Sequence, residues 1–224
     1  MIKLDNVSFF INRNKLIFED VNIFIPSGSI INIVGQTGSG KTSFLNLLSL
    51  LIDPNKGKIF LFGKEVNRLN RKEIFLLKQE MGLVFDNNYF IENMNVQENI
   101  IFPLIYKKEK GSDMMSALNE LLPWLNLESV KKNKIQELSR TELKLVQFAR
   151  SIIGRPRLLI LDDFFLNMEN ILEKKIIYLL LALNKIGTTI IIIGNKPRAN
   201  LIKFDKNFKI ENKRIFEGVL DKSV

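Results

Sequence analysis

The chain has neither cysteine nor histidine among its 224 residues. Because cysteine is absent, disulfides and thiolate metal sites are excluded, and the composition suits a reducing compartment. Because histidine is absent, the chain lacks the side chain that most often acts as a general base near neutral pH. Any reaction that needs such a base must take it from another residue type.

Long apolar runs are also missing. The longest uninterrupted run covers residues 176–183, far fewer than the roughly 20 residues of a helix that spans a bilayer. The first residues do not have the pattern of a secretory signal peptide. We therefore expect a cytoplasmic protein that reaches the inner face of the plasma membrane only through a partner.

Positive charge is what the chain has in excess. Its 33 Lys and Arg residues against 24 Asp and Glu give a formal net charge of +9 and a pI of about 9.6. Such a balance can indicate nucleic acid or an anionic membrane as a partner. The lysines are scattered, however, and no basic face interleaved with aromatic residues is visible. We interpret the charge as compositional bias and expect no nucleic-acid partner.

A phosphate-binding motif follows the apolar run 30–34, which is predicted to be a buried strand, and precedes a predicted helix at 43–51. It fits G-x-x-x-x-G-K-[ST] at each fixed position, a match expected by chance in roughly one chain of this length in a hundred. In this motif, backbone N–H groups and the positive end of the helix dipole face phosphate oxygens. Lys41 would reach the β- and γ-phosphates of ATP, and the Thr42 hydroxyl would ligate Mg²⁺. The nucleotide-binding residues are predicted to be Gly35, Gln36, Thr37, Gly38, Ser39, Gly40, Lys41, Thr42 and Ser43.

A second motif lies where the apolar strand 158–161 ends, at Asp162. A carboxylate at the carboxyl end of a buried strand is common and has little specificity alone. In a chain that also has a phosphate cradle, it is placed to hold Mg²⁺ through water opposite Thr42. The next residue, Asp163, is where a general base for the attacking water would sit.

The hydrophobic pattern predicts an α/β fold. Two alternating segments at 2–9 and 16–25 are predicted to form an antiparallel pair. The continuous apolar runs 158–161 and 189–193, separated by a predicted helix at 171–184, are typical of parallel strands buried on both faces. Further strands are predicted at 58–63 and 81–85, and helical patterns at 71–80 and across 87–153.

The order of these motifs resembles the ATP-binding subunits of ABC transporters. The resemblance covers essentially the whole chain. It is carried by the cradle and then, in chain order, by Leu83 to Asp86, Glu137 to Glu142, Ala149-Arg150, Leu158 to Asp163 and Thr188 to Asn195. It implies a P-loop NTPase (ABC ATPase) core with a mostly parallel sheet and an N-terminal antiparallel β subdomain, at 1–86 and 155–224. A helical subdomain would be inserted at about 87–154.

The resemblance also implies partners. ATP would lie between the cradle of one subunit and the signature motif of a second, in a head-to-tail dimer with itself or a related ATP-binding subunit. Within the family, the start of the chain and the stretch 99–105 look most like the cell-division subunits of the FtsE type, with the lipoprotein-releasing LolD type a close second. The implied membrane partner is then an FtsX-like integral subunit.

The chain departs from the family pattern at most catalytic positions outside the cradle. The signature corresponds to Ser139, Arg140, Thr141 and Glu142, where Arg140 and Thr141 replace glycines. The usual glutamine after the strand 81–85 is Asp86, the base glutamate is Asp163, and the switch histidine is Asn195. The aromatic residue that would stack on adenine aligns with Ile11, so Phe9 or Phe10 would have to shift to replace it.

Each of these substitutions has an expected effect on phosphate binding or hydrolysis. The carboxylate of Asp163 is one methylene shorter than that of glutamate, so it is poorly placed to activate water. Asn195 can donate a hydrogen bond to a γ-phosphate but cannot take up a proton. Arg140 either supplies a cation in trans, like an arginine finger, or shows only that the requirement for glycine at this position has been lost. Two hypotheses follow: a slow ATPase that drives or gates a membrane partner, and a nucleotide-binding module that does not hydrolyse.

One segment is predicted to contact the membrane partner. Residues 87–96 carry Tyr89, Phe90, Ile91 and Met94 among polar neighbours, and aromatic and Met side chains are typical anchors of interfaces. In the family, this region contributes to a groove for a short helix of the membrane subunit. The alternative is that these side chains only fill the joint between the subdomains.

Overall fold

The computed structural model describes residues 2–12, 14–85, 89–195 and 202–218. Its strands are β1 (Ile2–Ile11), β2 (Lys15–Ile25), β3 (Ile30–Gly35), β4 (Lys56–Leu61), β5 (Lys64–Glu65), β6 (Met81–Val84), β7 (Leu158–Asp162), β8 (Thr189–Gly194), β9 (Lys206–Glu211) and β10 (Arg214–Glu217). Its α-helices are α1 (Lys41–Leu48), α2 (Arg71–Gln79), α3 (Val96–Tyr106), α4 (Gly111–Trp124), α5 (Arg140–Ile152) and α6 (Asn170–Lys185).

The strands form two sheets. A six-stranded sheet has the order β10-β9-β3-β8-β7-β6, in which only the edge strand β10 is antiparallel to its neighbour. A four-stranded antiparallel sheet has the order β2-β1-β4-β5. This confirms the predicted α/β fold with a mostly parallel sheet and an antiparallel β subdomain. The helices α3, α4 and α5 lie between β6 and β7 in the chain, as an inserted helical segment does.

The six-stranded sheet is covered on both faces, which explains its continuous apolar strands. On one face, Ile160 and Ile191 pack in a cluster with α1 and the antiparallel sheet. On the other, Leu159 and Ile190 pack with α3, α4, α5 and α6. Burial of each Leu or Ile side chain contributes about 1.5–3 kcal/mol to the free energy of folding. The two clusters therefore hold the sheet in place, and with it the edge at which its parallel strands end.

Two details differ from the sequence-based prediction. Helix α1 begins at Lys41, two residues earlier than predicted, because Gly40 takes φ 105° and forms its N-cap. It ends at Leu48, three residues early, where Leu50 takes a left-handed φ of 57°. The hairpin of β9 and β10 was not predicted, although Asn212 and Lys213, with φ of 50° and 65°, form the two-residue turn with both φ values positive that favours hairpins.

Among the described residues, no helix is both long enough and apolar enough to cross a membrane.

Candidate nucleotide-binding site

The predicted cradle lies between the carboxyl end of β3 and the start of α1. Gly40 has to be glycine here, because an added Cβ would lie 2.9 Å from the Phe18 ring and 3.0 Å from Ile17 while φ is 105°. A Cβ on Gly35 would collide with the Ser39 hydroxyl. The loop is therefore packed closely against β2.

The cradle has the features that an anion requires. Helix α1 begins without a side-chain cap and without an acidic residue in its first turn, so its first N–H groups and the positive end of its dipole are available to phosphate. The Ser39 hydroxyl is buried and has no hydrogen-bond partner among the described residues. A buried hydroxyl without a partner is costly, and a phosphate oxygen would satisfy it. These residues fit a nucleotide phosphate.

Lys41 is held at the mouth of the cradle. Its ammonium donates to the Gly35 carbonyl at 2.8 Å, to the Gln36 carbonyl at 3.1 Å and to Asn195 Oδ1 at 2.7 Å. Three contacts use the three donors of an ammonium. The contact with Asn195 was not predicted from the sequence, since 154 residues separate the two positions. A γ-phosphate that approaches Lys41 has to compete with the Asn195 amide.

The predicted metal ligands lie at the same edge of the sheet. Asp162 ends β7 beside Ile193 of β8, and β8 in turn lies beside β3, so Asp162 and the cradle are two strands apart. Asp162 is buried and Thr42 is exposed. No group of three or more carboxylates in the described part of the chain could hold a metal ion alone. The residues fit Mg²⁺, which usually takes one or two protein ligands together with phosphates and water.

The positions of the base and the switch residue share a hollow of about 260 Å³, lined by Asp163, Asn195 and residues 164–166 and 192–194. The Asp163 N–H donates to the Ile193 carbonyl at 2.9 Å. Asp163 itself has a left-handed φ of 42°, which aspartate tolerates better than most residues. Asp163 and Asn195 therefore line one hollow, whereas Asp86 lies outside the described residues.

The signature residues form the N-terminus of α5, and their own side chains make the hydrogen bonds that cap this helix. The Ser139 hydroxyl donates to the Glu142 carboxylate at 2.6 Å and accepts from the Glu142 N–H at 3.3 Å, and the Ser139 N–H donates to the same carboxylate at 2.8 Å. These hydrogen bonds from Ser139, that of the hydroxyl first, lower the pKa of the Glu142 carboxyl. Arg140 and Thr141 are exposed beside this capping box. The pattern S-x-x-E before an apolar helix is the sequence signal for such a box.

The region proposed for adenine offers no free aromatic face at the aligned position. Ile11, at the end of β1, is 38% exposed. Phe9 pairs with Phe18 across the β1–β2 ladder and packs on a hydrophobic cluster. The N–H of Phe10 donates to Asn55 Oδ1 at 2.7 Å. The role of Phe9 or Phe10 in stacking stays a prediction.

Comparison with known proteins agrees with this geometry. Residues 18–165 match the ABC transporter family. The lipoprotein-releasing ATP-binding protein LolD of Aquifex aeolicus is 31% identical over 197 residues, 88% of each chain. The methionine import protein MetN of Clostridium acetobutylicum is 30% identical, over 88% of this chain but 61% of its own. The cell-division ATP-binding protein FtsE of Escherichia coli K12 is 26% identical over 85% of this chain and 86% of its own.

Solved structures show the same fold. The dimeric ATP-binding cassette MJ0796, in a post-hydrolysis state with ADP and phosphate, superposes with a TM-score of 0.89 over 99% of both chains at 24% identity. A second structure of MJ0796, also dimeric, gives 0.89 at 25% identity. With the family match across two thirds of the sequence and a relative above 30% identity, the chain belongs to the ATP-binding subunits of ABC transporters.

Proposed function

We propose that this chain binds Mg-ATP at the interface of a head-to-tail dimer and thereby drives or gates an integral membrane partner, with weak hydrolysis. The observation that carries the proposal is the cradle between β3 and α1. It combines an uncapped helix N-terminus, a buried hydroxyl without a partner and a lysine at the mouth. Dimeric MJ0796 and the family match support the arrangement.

The experiment is an equilibrium titration of the full chain with Mg-ATP and Mg-ADP. We expect binding in the micromolar to millimolar range, and a loss of about a hundredfold in Lys41→Ala, because a charge-assisted hydrogen bond to phosphate contributes about 1.5–3 kcal/mol. Lys56→Ala, at an exposed lysine of β4, is the matched control and should bind as the wild type does. Equal binding by Lys41→Ala would remove the basis of the proposal.

Weak hydrolysis is proposed because the residues around the γ-phosphate depart from the family pattern. Asp163 has a shorter side chain than the glutamate that acts as the base in the family. Asn195 accepts a hydrogen bond from Lys41, and Ser139 donates one to Glu142. The same contacts favour a second candidate function, a nucleotide-binding module that holds its partner in one state without hydrolysis. A hydrolysis rate indistinguishable from the Asp163→Ala variant would select this second function.

A groove of about 310 Å³ between α2, β6, α3 and α5 supports docking of a membrane subunit. Three aromatic side chains are exposed on it: Phe75 at 48%, Tyr89 at 66% and Tyr106 at 50%. Arg150 also lines the groove, 5.5 Å from the centre of the Phe102 ring, and donates to the Tyr89 carbonyl at 3.0 Å. Burial lowers the pKa of Arg150, yet arginine stays charged at neutral pH.

Two roles were considered for the predicted segment 87–96, contact with the membrane partner and filling of the joint between the subdomains, and different residues of the segment fit each of them. Tyr89 borders the groove, where it contacts Phe85 edge to face. Phe90 packs on the hydrophobic cluster of the helical subdomain, and Asn99 fixes the segment through bonds with the backbone of Ile91 and Met94. Asn87 and Asn88 lie outside the described residues. We propose that Tyr89 contacts the partner and that Phe90 holds the segment in place.

The groove is tested by co-expression with the proposed membrane subunit. We expect Tyr89→Ala to weaken co-purification at least fivefold while nucleotide affinity changes by less than about twofold, since an aromatic anchor contributes about 1–2 kcal/mol. Phe24→Ala, at a half-exposed aromatic of β2, is the control. Full retention of the membrane subunit by a Tyr89→Ala, Phe90→Ala double variant would contradict the groove assignment.

For the cellular role, we propose an FtsE–FtsX-like system in cell division or cell-wall remodelling, which the match to FtsE supports. The alternative is a lipoprotein or lipid exporter, which the higher identity to LolD favours. Depletion of the protein separates them: chains of undivided cells would support the first role, and retention of lipoproteins in the inner membrane the second.

A further inference from the structure

A second groove, here called the α4–α6 groove, lies on the helical part of the molecule. It encloses about 410 Å³ and is mostly apolar. Its apolar lining comes from α4, the end of α5, and α6, and includes Leu121, Trp124, Ile152, Leu179, Leu183 and Ile186. Two helices that border a groove offer ridges against which a third helix can pack.

The rim of the α4–α6 groove exposes large apolar side chains. Trp124 is 45% exposed, Tyr178 61% and Ile186 67%. The rings of Trp124 and Tyr178 stack with centroids 5.7 Å apart and planes inclined by 7°, so the pair presents one rigid aromatic surface. Contiguous exposed apolar surface of this kind is typical of interaction sites.

One end of the groove is acidic. A hollow of about 290 Å³ adjoins it and shares Ala117, Glu120, Ile153 and Arg155 with it. The hollow is lined by three carboxylates, Glu109, Asp113 and Glu120, and by Arg155. The Lys107 ammonium donates to the carbonyl of Gly154 in the same lining at 2.7 Å, so carboxylates outnumber cations by three to two. This local negative balance contrasts with the net charge of +9 of the whole chain.

The groove lies away from the nucleotide. Arg155 comes just before β7, and Ile186 comes just before β8, so these lining residues lie near the amino-terminal ends of the parallel strands. The cradle and Asp162 lie at the carboxyl ends. A segment bound in the groove therefore leaves the cradle accessible.

We propose that the α4–α6 groove binds a basic amphipathic helix supplied by the membrane subunit from its cytoplasmic side. The apolar face of the helix packs on Trp124 and Leu183, and its Lys or Arg residues pair with Glu109, Asp113 and Glu120. Cytoplasmic segments next to transmembrane helices carry an excess of Lys and Arg, which complements the acidic end. The carboxylates repel anionic lipid and nucleic acid. The identity of the partner as a membrane subunit rests on the function proposed above, whereas the preference for a basic helix does not.

Trp124 is the single tryptophan of the chain, so its fluorescence reports directly on this groove. The probe is a peptide of leucine and lysine, free of tryptophan, with leucines at i, i+3, i+4 and i+7. We expect a saturable blue shift of Trp124 emission at micromolar peptide, which weakens as salt screens the carboxylates. A peptide with glutamate in place of lysine should bind at least tenfold more weakly.

Two variants at exposed positions test the two ends of the groove without disturbing the core. Glu120→Lys at the acidic end and Ile186→Lys at the apolar end should each weaken the lysine peptide about tenfold or more. Glu19→Lys, an equal charge change on β2, should leave it unchanged. An unchanged affinity in both groove variants, or equal binding of the two peptides, would overturn the proposal.

The outcome is separable from that of the proposed function. Mg-ATP affinity is measured on the same samples and should be the same in Glu120→Lys and in the wild type. A chain that binds the lysine peptide but no nucleotide would refute the ATP-binding role and leave the groove assignment standing. A chain that binds nucleotide but gives no shift of Trp124 emission would refute the groove alone.

Discussion

Two helices begin at the positions that the family places around ATP, and their N-termini are opposite in character. Helix α1 follows Gly40 with no side-chain cap, whereas α5 follows Ser139 with a complete capping box closed by Glu142. An open N-terminus attracts an anion, while one that already holds a carboxylate repels a second. The comparison shows one helix N-terminus that is open to an anion and one that is closed by its own carboxylate. We propose that the first is the phosphate-binding half of the family's site and the second the half that is contributed in trans.

The switch position extends this contrast. Asn195 Oδ1 lies 2.7 Å from the Lys41 ammonium, so the residue that we propose stands in place of the family's histidine holds the lysine of the cradle. Asp163, across the shared hollow, has the shorter carboxylate. Binding and hydrolysis should therefore respond differently to substitution.

The largest effect is expected from restoring the hydrolytic residues. Asp163→Glu combined with Asn195→His should raise the rate of ATP hydrolysis about a hundredfold, the lower range for a well-placed general base. Phosphate release under saturating Mg-ATP measures it. Asp163→Ala with Asn195→Ala is the control and should be no faster than the wild type. A restored variant that stays at the wild-type rate would show that the α5 terminus alone limits hydrolysis.

The next effect concerns the bond between Lys41 and Asn195. Asn195→Asp should weaken ATP binding about tenfold, because a carboxylate holds Lys41 more strongly and repels the γ-phosphate. ADP binding should change less. Asn126→Asp is a matched control, since Asn126 Oδ1 accepts from Lys175 at 3.4 Å on the surface. Equal losses for ATP and ADP in a nucleotide titration would contradict the competition between Asn195 and the γ-phosphate.

A smaller effect is expected at the closed helix terminus. Ser139→Ala should lower the free energy of unfolding by about 1 kcal/mol, the usual cost of losing an N-cap. Urea denaturation measures it, with Ser112→Ala in the first turn of α4 as the control. If Ser139→Ala proved as stable as the wild type, the capping box would not be formed in solution.

The smallest effect is the pH dependence of the same box. The folded pKa of Glu142 lies below its unfolded value, so the ionised carboxylate stabilises the fold above the unfolded pKa, and this contribution is lost as pH falls through the folded pKa. The difference in unfolding free energy between wild type and Glu142→Gln should therefore be present at neutral pH and shrink below about pH 4. A difference that stays constant to pH 3 would contradict the assignment.

The two helix termini also show what the sequence can predict. The cradle was predictable because G-x-x-x-x-G-K-[ST] prescribes a backbone shape that the flanking strand and helix confirm. The closure of α5 is equally local, since Ser139 and Glu142 are three residues apart, whereas the family resemblance predicts a role in trans for the same residues. The Lys41–Asn195 bond and the α4–α6 groove join residues far apart in the chain, and no local pattern predicts them.

The most direct test measures binding and hydrolysis of Mg-ATP on one preparation of the wild-type chain. The account predicts saturable binding at micromolar to millimolar nucleotide and a turnover at least about a hundredfold below the 1 s⁻¹ at the low end of ordinary enzymes. Turnover above about 0.01 s⁻¹ that is unaffected by Asp163→Ala would contradict the claim that the cradle binds nucleotide while the residues for hydrolysis are impaired.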